Sequence, residues 1–103
     1  MRDLVSTSMV LDEPAWNQPL PEPNGSDLRP DAQWKRARLA LEVDSIEWHR
    51  YGDSVEATER RRARYAALGW TVLPVSPRRI REEPAAVLAE IEAAFLAGIT
   101  RNA

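Results

Sequence analysis

The chain has 103 residues, a formal net charge of −2 and no cysteine. That length fits one small domain rather than two, and 44% hydrophobic with 29% charged residues excludes a disordered polyelectrolyte. The lack of cysteine excludes disulfides and thiolate metal sites and agrees with a cytoplasmic setting, while no run is apolar enough to span a membrane or serve as the core of a signal peptide.

Residues 1–13 (MRDLVSTSMVLDE) are weakly patterned and read as an N-terminal extension, either a short helix or the remainder of a longer one. Residues 14–23 (PAWNQPLPEP) hold four prolines, and proline has no ladder donor, so this stretch supports at best an edge strand over WNQPL. Asn24-Gly25 is the dipeptide of tight hairpins. LRPDAQW (28–34) reads as a second strand and Lys35-Arg36 as the next turn. RLALEVDS (38–45) is the clearest strand: Leu39, Leu41 and Val43 alternate with Ala40, Glu42 and Asp44, so one face is apolar and the other acidic. HRYGD (49–53) is a loop, with Asp53 or Ser54 placed to cap a helix over 54–68 whose inner face is Val55, Thr58, Tyr65 and Leu68. Gly69 ends that helix, WTVLPV (70–75) follows as a strand parallel to an earlier one, and SPRRIREE (76–83) is a basic loop. Pro84 opens a last helix with Val87, Leu88, Ile91, Ala94 and Phe95 on one face, and Gly98 closes it. The order β-β-β-α-β-α describes a mixed α+β fold.

Asp31, Glu42 and Asp44 are the residues that suggest chemistry. Adjacent antiparallel strands bring such acids together when the register agrees. Clustered carboxylates repel one another, and a hard divalent cation, Mg²⁺ or Mn²⁺, offsets that repulsion and can activate water beside a phosphate. His49 is placed to act as a general acid or base there. The plainer alternatives are a solvated sheet face paired with arginines, a loop histidine beside Trp48, and an Asp-after-Pro turn at Asp31. The arginines divide in the same way. Arg60, Arg61, Arg78, Arg79 and Arg81 are candidates for DNA phosphate contact, while Glu56 and Glu59 are spaced to pair with the helix arginines. Trp16, Trp34 and Trp70 read as packing residues, and Trp48 as the one beside the site.

The pattern Pro30-Asp31, ten residues, then Glu42-Val43-Asp44 resembles the PD-(D/E)xK nuclease signature. The longer string RPDAQW…ARLALEVDSIEWH…ERRRARYAALGWTVLPV…EEPAAVLAEIEAA resembles a Vsr-related domain of unknown function common in actinobacteria, a group similar to very-short-patch-repair endonucleases. The resemblance spans residues 14–97, leaving 98–103 as a tail. It implies a restriction-endonuclease-like sheet flanked by helices and a divalent-metal-dependent DNA endonuclease. By that resemblance Asp31 is the main metal ligand, Glu42 a second and Asp44 a third, with Gln18 an accessory polar residue. Asp44 stands where the broad superfamily has a lysine, so Lys35 or His49 would supply that function, or the domain is a catalytically silent module binding DNA or a protein in a defence or toxin–antitoxin setting. A second departure is the short N-terminal segment. It implies a minimal or truncated domain, with a sheet face or that segment left to form a homodimer.

Overall fold

The computed structural model describes residues 1–43 and 52–103, except the side chains of 52–54. Its elements in chain order are α1 (Arg2–Ser6), β1 (Ala15–Trp16), a 3₁₀ turn (Pro23–Gly25), β2 (Ala32–Trp34), β3 (Leu39–Val43), α2 (Gly52–Ala67), β4 (Thr71–Val75), α3 (Pro77–Glu82) and α4 (Pro84–Arg101). The four strands form one mixed sheet in the order β1-β2-β3-β4, antiparallel except for the parallel β3–β4 pair. This is the expected α+β class, with the parallel crossover through α2 where it was anticipated.

The alternation in β3 sorts the sheet into two faces. Leu39 and Leu41 join Ala32, Trp34 and Val75 under α4, whose Val87, Ile91 and Phe95 are all buried. Trp34 meets Phe95 edge to face at 6.4 Å, and Val5 of α1 fills the margin of this core. Ala40 faces the other way, into a second core with Leu20, Leu28, Tyr65 and Trp70 beneath α2. Both sheet faces are therefore covered. The expected bare face for dimerisation is absent among the described residues, because α1, α3 and α4 pack on one side and α2 on the other.

Several elements depart from expectation, each for a local reason. The first strand stops at Trp16 because Asn17 takes a left-handed φ of 52°. Asn24-Gly25 makes a 3₁₀ turn begun by Pro23 rather than a tight hairpin. The second strand is confined to Ala32–Trp34, since Pro30 carries no donor, although the Asn17 N–H still reaches the Asp31 carbonyl at 3.0 Å. Helix α2 begins two residues before the expected 54, so Asp53 lies in its first turn rather than before it.

Its end follows expectation closely. Gly69 has φ +84°, its N–H bonds the Ala66 carbonyl at 3.0 Å, and the Trp70 N–H bonds the Tyr65 carbonyl at 2.9 Å, the paired bonds of a Schellman cap.

Within residues 76–83, expected as a basic loop, Pro77–Glu82 form a helix. The Ser76 hydroxyl accepts from the Arg79 N–H at 3.2 Å, Pro77 occupies the first helical position, and Arg78–Glu82 and Arg79–Glu83 pair one turn apart. Gly98 does not end α4. It is buried within the helix, and a Cβ there would lie 2.2 Å from the Ala37 carbonyl oxygen, so this glycine lets α4 press against the β2–β3 turn. The helix ends at Asn102, whose side-chain amide donates to the Gly98 carbonyl at 2.8 Å. No helix among the described residues is long and apolar enough to cross a membrane.

Candidate metal centre and nucleic-acid face

Glu42 follows Leu41 on β3 and points to the α2 side of the sheet, where only 7% of the residue is exposed. A buried carboxylate needs donors for both oxygens. The Tyr65 hydroxyl, on α2, donates to Oε2 at 3.2 Å. Arg61, one helical turn before Tyr65, places Nε and Nη2 each 3.2 Å from Oε1. Burial, then the neighbouring Glu42 charge and its hydrogen bond, push the Tyr65 phenol well above the usual tyrosine range, so it stays a donor. The acidic face of β3 is thus roofed by α2 rather than solvated.

Asp31 sits just ahead of β2 rather than inside it. Its Oδ2 accepts the Val43 N–H at 2.7 Å, which fixes its carboxylate beside the end of β3 next to Glu42. Its charge also contributes to holding the Tyr65 phenol protonated, after burial and Glu42. No hydrogen bond is made to Asp31 Oδ1 among the described residues. Two acids, one just ahead of β2 and one on β3, therefore stand at the same end of the two inner strands. As hard oxygen donors they fit Mg²⁺ or Mn²⁺ in type. Among the described residues, no third His, Cys, Asp or Glu joins them in a metal-sized group. Asp44, Trp48 and His49 lie outside the described residues.

The same end of the sheet carries the start of α3. Val43 pairs with Val75, so the chain leaves β4 for Ser76 at the end where Asp31 and Glu42 stand. Ligands of open α/β sheets commonly bind beyond the carboxyl ends of parallel strands. Of the arginines assigned to phosphate contact, Arg60 pairs with Glu56 at 3.5 Å and Arg78 with Glu82 at 2.9 Å, both strongly exposed. Arg79 bridges Glu83 and Glu90. Arg81 is exposed and makes no ion pair with the described residues. Arg61 turns inward to Glu42, a placement set by helical phase. Arg64 grips Asp27 with two bonds of 2.5 and 2.7 Å, which raises its own pKa and lowers that of Asp27.

Lys35 lies in the β2–β3 turn, at the far end of β2 from Asp31, and so cannot stand in for a lysine beside Glu42. Gln18 contributes its main chain rather than its side chain: its carbonyl accepts from the buried Gln33 amide at 2.8 Å. Gln18, Gln33 and Lys35 line an open cleft with Glu13 instead. Trp34 and Trp70 are core residues as expected, and half-buried Trp16 stacks under Arg2 at 4.9 Å. Tyr65 was not anticipated as part of the site. Its one sequence signal is a polar aromatic set among alanines on the inner face of an arginine-rich helix.

No family model matches the chain, and no solved structure matches it. It is similar to two curated proteins of Mycobacterium tuberculosis: uncharacterized protein Rv2248 of strain H37Rv and uncharacterized protein MT2308 of strain CDC 1551. Each is 34% identical over 88 residues, which cover 85% of this chain and 32% of the relative. The chain spans about one third of the length of these relatives.

Proposed function

We propose that the chain is a divalent-metal-dependent DNA endonuclease of the Vsr-like, PD-(D/E)xK type. One observation carries this reading: Asp31, just ahead of β2, and Glu42, on β3, stand at the same end of two adjacent strands, the end from which the chain enters α3, with Asp31 fixed by the Val43 N–H. Asp31 and Glu42 would hold Mg²⁺ or Mn²⁺, with Asp44 and His49 next along the chain as the third ligand and proton carrier. The bound cation supplies an activated water and charge neutralisation at the phosphodiester. Tyr65 holds the Glu42 carboxylate in place, and Arg81, exposed on α3, would contact backbone phosphate.

A second reading, a catalytically silent nuclease-like module that binds DNA or a protein, is favoured by a specific observation: Arg61 and Tyr65 together satisfy both Glu42 oxygens. Nicking of supercoiled plasmid separates the two. The endonuclease reading expects cleavage with Mg²⁺ or Mn²⁺ that disappears in Asp31→Ala and in Glu42→Ala. A folded protein that retards DNA in a gel but never cuts it supports the silent module instead.

A further inference from the structure

The cleft between the proline-rich stretch and β2 measures about 340 Å³, the size of a small-molecule site, and neither Asp31 nor Glu42 lines it. Gln33 is its buried wall residue, with only 5% exposed. The Gln33 amide nitrogen donates to the Gln18 carbonyl at 2.8 Å and to the Pro19 carbonyl at 3.1 Å. Turned the other way, the amide would set its oxygen against two carbonyl oxygens, so its orientation is fixed. Oε1 is left as an acceptor. It receives no hydrogen bond from the described residues, yet it is not sealed from solvent. An almost wholly buried side chain thus presents one unpartnered acceptor to the cleft it lines. The other walls set the character of a ligand. Ala15, Pro19 and Pro21 are apolar. Ala15 pairs with Gln33, and two residues outward along each chain stand Glu13 and Lys35, one acid and one base. Both are exposed, and neither forms an ion pair with the described residues; Glu13 accepts only from the Trp16 indole, at 3.4 Å.

A ligand that completes this set needs N–H donors for Oε1 and Glu13, an anionic group for Lys35 and an apolar body. A nucleotide would carry its excess negative charge past Glu13, and the interior of a peptide offers no charge to either residue. A zwitterion meets one acid and one base with no charge left over. We propose that the cleft binds a free α-amino acid with an apolar side chain. Its ammonium donates to Gln33 Oε1 and to Glu13, its carboxylate pairs with Lys35, and its side chain lies against Ala15, Pro19 and Pro21. The site shares no residue with Asp31 and Glu42, so it does not rest on the endonuclease reading.

The test is titration of L-leucine into the ¹⁵N-labelled full chain, read from amide chemical shifts. L-Leucine is expected to move the Ala15, Gln33 and Lys35 signals and the Gln33 side-chain amide pair saturably, while Phe95 stays in place. N-Acetyl-L-leucine lacks the ammonium and L-leucinamide lacks the carboxylate, and each should bind several-fold more weakly. Lys35→Ala, a change at an exposed side chain with no bond to lose, should weaken L-leucine to the level of L-leucinamide and leave L-leucinamide unchanged. Gln33→Met removes the acceptor and should abolish the response. If that variant does not fold, Lys35→Ala and the two derivatives decide the matter. Absence of any saturable shift with L-leucine overturns the proposal. Equal binding of L-leucine and its two derivatives also overturns it, because the charges are then not read. Saturable shifts of the same signals by deoxyadenosine monophosphate but not by L-leucine would assign the cleft to nucleotides and overturn it as well.

Discussion

The Tyr65–Glu42 bond shows how a single contact shapes the whole site. Removing the hydroxyl leaves a buried carboxylate oxygen short of a donor, which costs about 1–3 kcal/mol. Tyr65→Phe is therefore expected to lower stability by that amount in chemical denaturation, although it preserves the ring and its packing. The same group sets an alkaline limit. Its folded-state pKa is raised, so above the unfolded tyrosine value of about 10 the unfolded chain releases a proton that the folded one retains. The stabilisation is full below that pH and declines above it. Wild type should lose stability between about pH 10 and 11 more steeply than Tyr65→Phe, and equal slopes would contradict the placement of this hydroxyl. None of this was visible in the amino-acid order. Glu42 could be assigned to a face of β3, but its partner depends on how α2 is rotated over the sheet, which is a tertiary fact.

At the scale of elements, the legible parts were those dictated by local periodicity. The β3 alternation, the Gly69 cap, the crossover to β4 and the inner face of α4 all follow from spacing and backbone chemistry. The misread parts were those where one residue type has two uses. Ser76-Pro77 resembles a loop but is a cap and a first helical turn, completed by arginine–glutamate pairs. Gly98 resembles a helix stop but serves a close approach. Two glycines make this testable. Gly98→Ala gains helix propensity of about 1 kcal/mol, yet its Cβ meets the Ala37 main chain, and overpacking of that kind costs about 1–3 kcal/mol or more, so net destabilisation is expected. Gly25→Ala meets only the Leu68 and Leu20 side chains, at 2.7 Å for the closest atom, the tip of Leu68, and should cost less. Thermal unfolding of the two variants would contradict this account if Gly25→Ala were the worse.

Across the whole molecule, the uneven charge of the sequence resolves into pairs that tie the proline-rich N-terminal region to the rest. Arg36 meets Asp12 at 2.8 Å, Arg64 meets Asp27, and Glu22 takes both Arg38 and the Trp70 indole. The hydrogen bonds from Arg36 and Arg64 hold the Asp12 and Asp27 carboxyls below their usual range. Groups with lowered pKa stabilise the fold above the unfolded carboxylate value, about 4, and lose that contribution as pH falls through their lower folded values. Acid should therefore loosen residues 12–27 before the β3–β4 core, which hydrogen exchange at decreasing pH would reveal. Simultaneous opening of both regions would contradict it. Asp31 and Glu42, the latter paired with Arg61, stand at the end of the inner strands, and the function proposed for the chain rests on whether that end takes a metal. The most direct measurement is the pattern of backbone amide broadening by substoichiometric Mn²⁺ in a ¹⁵N-labelled chain. The account predicts selective loss of the signals of Asp31, Ala32, Glu42 and Val43, and its absence in Asp31→Asn. Broadening centred instead on the surface acids Glu82, Glu83 and Glu90, or none at all, would contradict it.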